Sequence, residues 1–213
     1  MKSFPLYQLY KLNLYFCGMM KKSDIKGIYA RTREMLLHPD TEWQAVKREN
    51  TSGAEIFREY LVPLTSIGAA CTLVLQLLHT PPLYAFAIAA ITFVASVGGA
   101  YITYRVTREY LTDKIMEANL VALRLSVYCS SIFIVFHCLS RGMPEGFLCQ
   151  LLGLLSLLSL RTLYIGINQM TALNVQLRKS TLVIAGLFIV LSPMIIQRLL
   201  VVIFRIPTIT LNI

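Results

Sequence analysis

The stretch LVIAGLFIVLSPMIIQRLLVVIF, Leu182–Phe204, decides the fold. A helix needs roughly 20 residues to cross a hydrocarbon core of about 30 Å. This run supplies that length with a single charge, Arg198. Working outward, four similar stretches precede it: roughly Tyr60–Leu78, Leu83–Tyr104, Leu120–Leu139 and Phe147–Ile165. Backbone amides inside a bilayer find no water, so each span must satisfy them within a helix. The expected fold class is therefore an all-α membrane protein. It has five transmembrane helices over residues 60–213 and a cytoplasmic N-terminal segment, residues 1–59, carrying interfacial amphipathic helices.

Composition agrees. Of 213 residues, 56% are hydrophobic and 15% charged, against about 25% charged in soluble proteins. The formal charge of +9 does not indicate nucleic acid, because the cations gather beside apolar spans rather than among exposed aromatic platforms. Cys17, Cys71, Cys129, Cys138 and Cys149 are scattered without a Cys-x-x-Cys pair, which favours small hydrophobes over disulfides or zinc ligands. The early apolar run Phe4–Met20 is interrupted by Pro5, Gln8, Lys11 and Asn13, unlike a cleaved signal peptide. Met19-Met20-Lys21-Lys22 has the look of a translation start, so residues 1–18 are expected to be an upstream extension.

The cations give the spans a direction. Ten of the twenty Lys and Arg precede the first span. The loop His79–Pro82 has none, the next carries Arg105, Arg108 and Lys114, and the third only Arg141. The fourth has Arg178 and Lys179, and Arg205 alone follows the last span. The alternation follows the positive-inside rule, placing the N-terminus in the cytoplasm and the C-terminus outside. Arg124 and Arg161 then fall on the cytoplasmic side, where their stems can snorkel to the interface. Arg198 lies toward the external side and is the best candidate for an interhelical partner.

Asp24–His38 reads as an amphipathic helix, with Ile25, Ile28, Tyr29, Met35 and Leu36 on a three- and four-residue rhythm. Its basic residues suit a helix lying on anionic headgroups. Pro39 ends it, and Asp40 or Thr41 can cap a short second helix through Trp43, Val46 and Lys47. Trp43, the only tryptophan, is expected at the headgroup boundary. Ser52-Gly-Ala-Glu55 has capping-box spacing and should begin a helix that continues into span one.

Leu36-Leu37-His38-Pro39-Asp40-Thr41-Glu42-Trp43, followed by Arg58-Glu59-Tyr60-Leu61-Val62-Pro63-Leu64, resembles the start of bacterial membrane proteins of the Yip (Ypt/Rab-interacting protein) family. Leu125-Ser126-Val127-Tyr128-Cys129-Ser130 is similar to that family's tyrosine-serine segment, and Leu163-Tyr164-Ile165-Gly166-Ile167 to its tyrosine–glycine exit from span four. The resemblance covers roughly residues 31–204. Ser131-Ile132 and Ile167-Asn168 stand where the family often has proline. The Asp-Leu-Tyr-Gly-Pro motif of the eukaryotic branch is missing, so that branch's association with Rab GTPases and vesicle traffic is not carried over. The resemblance implies a five-span integral membrane protein of the bacterial inner (cytoplasmic) membrane.

No set of residues here reads as a catalytic, cofactor-binding or metal site. His137-Cys138 stands alone, without a His-Glu-x-x-His or an inward carboxylate pair. Glu109, Asp113 and Glu117, with Arg105, have the spacing of one helical face, a solvated surface or a docking one. Small residues, notably Gly68-Ala69-Ala70 and Ser96 to Ala100, favour close helix packing over a pore. Pro39, Trp43, Tyr60 and Pro63 are the expected interfacial or partner-contact residues, and Arg198 and Pro193 the intramembrane ones. The leading function is a non-catalytic membrane scaffold or adaptor acting through helix packing and a basic cytoplasmic face. The alternative is a small transporter or channel subunit using proline-broken spans one and five. Expected partners are the lipid bilayer, anionic lipid headgroups, and other membrane proteins or the chain itself. No cofactor, enzymatic activity or nucleic acid is expected.

Overall fold

The computed structural model describes residues 22–204, so the expectation for residues 1–18 lies outside the described part. Seven helical elements follow one another: α1 Lys22–Leu37, α2 Pro39–Arg48, α3 Gly53–Gln76, α4 Pro82–Leu111, α5 Ala118–Gly142, α6 Phe147–Met170 and α7 Val175–Ile203. Helices α3 to α7 are long and apolar enough to cross a membrane, which makes this a multi-pass integral membrane protein.

Helices α1 and α2 form a hairpin turned by one proline. His38 takes the non-helical φ −127°, ψ 57° that a following proline favours. Pro39 then sits in the first turn of α2, where its missing N–H costs nothing. Neither Asp40 nor Thr41 caps α2: the N-cap is His38, and the Thr41 hydroxyl donates to the His38 carbonyl at 2.9 Å. Asp40 and Glu42 in the first turn, with Lys47 and Arg48 in the last, match the helix dipole. Pro39, Trp43 and Val46, spaced i, i+4, i+7, are the buried residues of α2. On α1, Ile28 and Met35 are buried while Tyr29 is 70% exposed. The apolar rhythm is present, but its inner edge faces protein rather than lipid.

Helix α3 opens with the expected capping box: Glu55 N–H donates to Ser52 Oγ at 3.3 Å, and Ser52 N–H to Glu55 Oε2 at 3.0 Å. Its next turn widens to i→i+5 bonding over Ile56–Leu61. Pro63, which has no N–H to offer the helical ladder, comes two residues after it. This π-turn is invisible to a 3.6-residue reading, and it turns Ile56, Tyr60 and Leu61 inward together.

Helix α5 is central, with every residue from Arg124 to Ile134 buried. Around it pack α3, α4 and both halves of α6, while α4 also packs tightly on α7. At that contact a Cβ on Gly99 would lie 2.8 Å from Pro193 Cδ, so only glycine lets the backbones meet. Helix α4 ends at Leu111, and Asp113 lies in the turn that follows. Glu109, Asp113 and Glu117 therefore do not form one continuous helical face, although all three are exposed.

Candidate functional site

The hairpin is fastened to α3, α5 and α6 by a cluster of polar and aromatic side chains. Arg31, projecting from α1, is its centre. Arg31 Nε lies 2.9 Å from Glu42 Oε1, and its two terminal nitrogens grip both oxygens of Glu49. Its Nη1 also donates to Tyr128 OH at 3.1 Å, with the guanidinium carbon 5.6 Å from that ring's centre. The hydrogen bond to Glu49 holds the guanidinium pKa above its ordinary value despite partial burial. The same bond holds the Glu49 carboxyl below its ordinary value.

Aromatic rings extend the cluster downward. Tyr60 stands 5.0 Å from Tyr128, centre to centre, and Trp43 meets Tyr128 edge-on at 5.9 Å. Tyr60 OH lies 2.9 Å from Thr32 Oγ1 on α1 and donates to Ser131 Oγ on α5 at 3.1 Å. Three helices thus share one hydroxyl. The Trp43 indole is fully buried and donates from Nε1 to the Thr162 carbonyl at 3.0 Å. It lies over Gly166, where a Cβ would come within 2.6 Å of the indole. Trp43 is therefore not a headgroup-belt residue. It is a knob in a socket whose floor is Gly166 and Leu125.

Arg124 departs from expectation in the same way. Rather than snorkelling, it is 4% exposed and donates to the Glu49 carbonyl from Nη2. Its Nε has no hydrogen-bond partner among the described residues. A buried cation costs less where a backbone carbonyl accepts from it, and the chain between α2 and α3 supplies one. Arg161 is exposed, as a snorkelling residue would be.

Of the residues singled out from the sequence, Trp43 and Tyr60 meet in this cluster, Pro39 is buried at the start of α2, and Pro63 follows Tyr60 by one turn. Pro193 stands apart, against Gly99. Arg198 is exposed on α7, so it is not buried between helices. His137 Nε2 lies 3.0 Å from Gln197 Oε1, a partner not anticipated from the sequence. Also missed were Arg31 and Glu49, which read as surface charges because nothing local to either marks the other. Among the described residues no group of three or more His, Cys, Asp or Glu could hold a metal ion.

The sequence segments that meet here are widely separated: Pro39–Trp43, Tyr60–Pro63, Tyr128–Ser131 and Thr162–Gly166. They are also the segments on which the family resemblance rests. No curated relative and no solved structure matches the chain. The model of the Yip1 domain matches residues 33–197, from the last turn of α1 almost to the end of α7. That match covers most of the chain, and the protein belongs to the Yip1 domain family.

Proposed function

We propose that this integral membrane protein is a non-catalytic scaffold or adaptor that presents its hairpin, α1–α2, on a rigid membrane base. The observation that carries the reading is the clamp: Arg31 to Tyr128, Trp43 to Thr162 and Thr32 to Tyr60 tie the hairpin to three membrane helices. A helix held this firmly offers a fixed outward face. That face carries Tyr29 at 70% and Leu37 at 49% exposure, with the side chain of Arg33 59% exposed and Arg48 also outward. An apolar-basic surface of this kind suits anionic headgroups, another membrane protein or a second copy of the chain. The distribution of cations favours a cytoplasmic N-terminus and an external C-terminus, and the resemblance to bacterial members of the family favours a bacterial inner membrane.

Pull-down of the full chain from mild detergent tests the proposal. A stoichiometric membrane-protein partner or second copy is expected, and it should be lost in an Arg33→Glu, Arg48→Glu variant. A monomer under every mild condition would overturn it. The transporter reading has one specific support, the buried polar residues between α4, α5 and α7. Pro63 belongs to the clamp end of α3 and Arg198 faces outward, so neither adds to it.

A further inference from the structure

The clamp stands at one end of the bundle, and a second meeting of arginines stands at the other. Arg141 lies in the last turn of α5, about 20 Å along that helix from Tyr128. Helix α7 closes on α5 one turn earlier, where His137 Nε2 lies 3.0 Å from Gln197 Oε1, and Arg198 is the next residue on α7. Helix α3 holds the same end from another side: Gln76 Nε2 donates to the Arg141 carbonyl at 2.5 Å.

The Arg141 guanidinium is left incomplete. Its Nε is buried and has no hydrogen-bond partner among the described residues. The charge that acts on it most strongly is Arg198, a repulsion that exceeds the attraction of Glu145 on the turn into α6. Neither arginine can bond the other, because a guanidinium only donates. Like charges beside a low-dielectric interior are costly unless an anion lies between them. At the clamp end Arg31 and Arg124 share Glu49.

The setting says what kind of anion fits. Arg198 is exposed, about 8 Å short of the end of α7 at Ile203, a depth from which its side chain reaches headgroup level. Exposed apolar side chains flank it on the same helical face, Met194 and Ile195 one turn before and Val202 one turn after. A soluble anion gains nothing from that wall. A phospholipid sets its phosphate on the arginines, whose planar donors match phosphate oxygens, and lays its chains along Met194 and Ile195. A zwitterionic lipid is a poorer ligand, because its ammonium brings a further cation to a site already rich in them.

We propose that Arg141 and Arg198 form a binding site for the phosphate of an anionic phospholipid, at the membrane surface opposite the hairpin. On the cation distribution this is the external surface, where positive charge is scarce and orientation gives no reason for two arginines to converge. The site goes beyond the scaffold reading and does not depend on it.

Native mass spectrometry tests the proposal on the full chain, released from a mild uncharged detergent with equal amounts of phosphatidylglycerol and phosphatidylcholine. Retention of phosphatidylglycerol in preference to phosphatidylcholine is expected. Arg198→Gln, at an exposed position, should lower that retention by about tenfold, the worth of one charge-assisted hydrogen bond. Arg141→Gln, checked for unchanged helicity and elution, should do the same. The Arg33→Glu, Arg48→Glu variant should keep the lipid, which separates this site from the face offered by the hairpin. Equal retention of the two lipids, or retention undiminished in Arg198→Gln, would overturn the proposal. So would displacement of the lipid by inorganic phosphate at matched concentration, which would mark the site as one for a soluble anion.

Discussion

The two halves of α6 have opposite fates, and the more apolar half is the one left outside the protein core. In Phe147–Leu155 no residue is buried, whereas in Leu158–Met170 Ser159, Thr162, Leu163, Gly166 and Ile167 all are. A tightened turn at Ser156 and Leu157 separates them. The difference is what lies alongside: the hairpin and α7 pack on the second half, with Trp43 seated on Gly166 and bonded to Thr162, and Gly186 of α7 close to Leu160. Apolar composition brings a helix into the membrane without deciding which of its faces meets protein. Here the decision comes from α7 and from residues more than a hundred positions earlier in the chain.

The comparison can be broken most forcefully at the knob. Trp43→Ala empties the socket, and large-to-small changes of this kind cost about 3–5 kcal/mol. The expected outcome is rapid hydrogen exchange in α1, α2 and the second half of α6, with the first half unchanged. Next in size is Arg31→Met, which leaves two partly buried carboxylates without their cation, at about 2–3 kcal/mol. Protease should then cut the hairpin from an otherwise intact bundle.

The halves can also be set against each other directly. Gly166→Ala places a methyl group 2.6 Å from a rigid indole, and overpacking costs about 1–3 kcal/mol. Gly153→Ala, in the first half of the same helix, meets nothing within 4 Å. It should be neutral or stabilise the helix by up to about 1 kcal/mol through propensity. Thermal unfolding of the two variants in one detergent checks the contrast, and equal shifts would refute it.

A smaller effect follows from acid. The Glu49 carboxyl is held below its ordinary value, chiefly by its hydrogen bond to Arg31. Its contribution is fully present above the unfolded pKa, near 4.5, and is lost as pH falls through the lower folded value. Arg31, raised from an already high value, stays charged throughout. Hairpin protection should therefore be flat at neutral pH and weaken only below about pH 4.5. Glu49→Gln should flatten the acid limb.

Much of the fold was legible in the sequence because the bilayer demands long apolar helices whatever their neighbours. The capping box at Ser52 and the turn at Pro39 were legible too, since both are local. The cluster was visible only as fragments: Trp43, Tyr60, Tyr128 and Gly166 stood out singly, and no spacing rule joins residues on different helices. Trp43 was misplaced because tryptophan before a span ordinarily means the interface. Arg124 was misplaced because snorkelling is the common fate of an arginine near a span end. What recruited both inward was a partner far along the chain: Gly166 for Trp43, and the Glu49 carbonyl for Arg124.

Because Trp43 is the only tryptophan, its fluorescence reports on the socket with no competing signal. In bilayers the clamp predicts blue-shifted emission that neither aqueous acrylamide nor brominated lipid quenches strongly. That emission should shift to the red, and become quenchable, in the Gly166→Ala variant. Strong quenching of the unmodified protein by headgroup-level brominated lipid, or by acrylamide, would return Trp43 to the membrane surface and contradict the clamp.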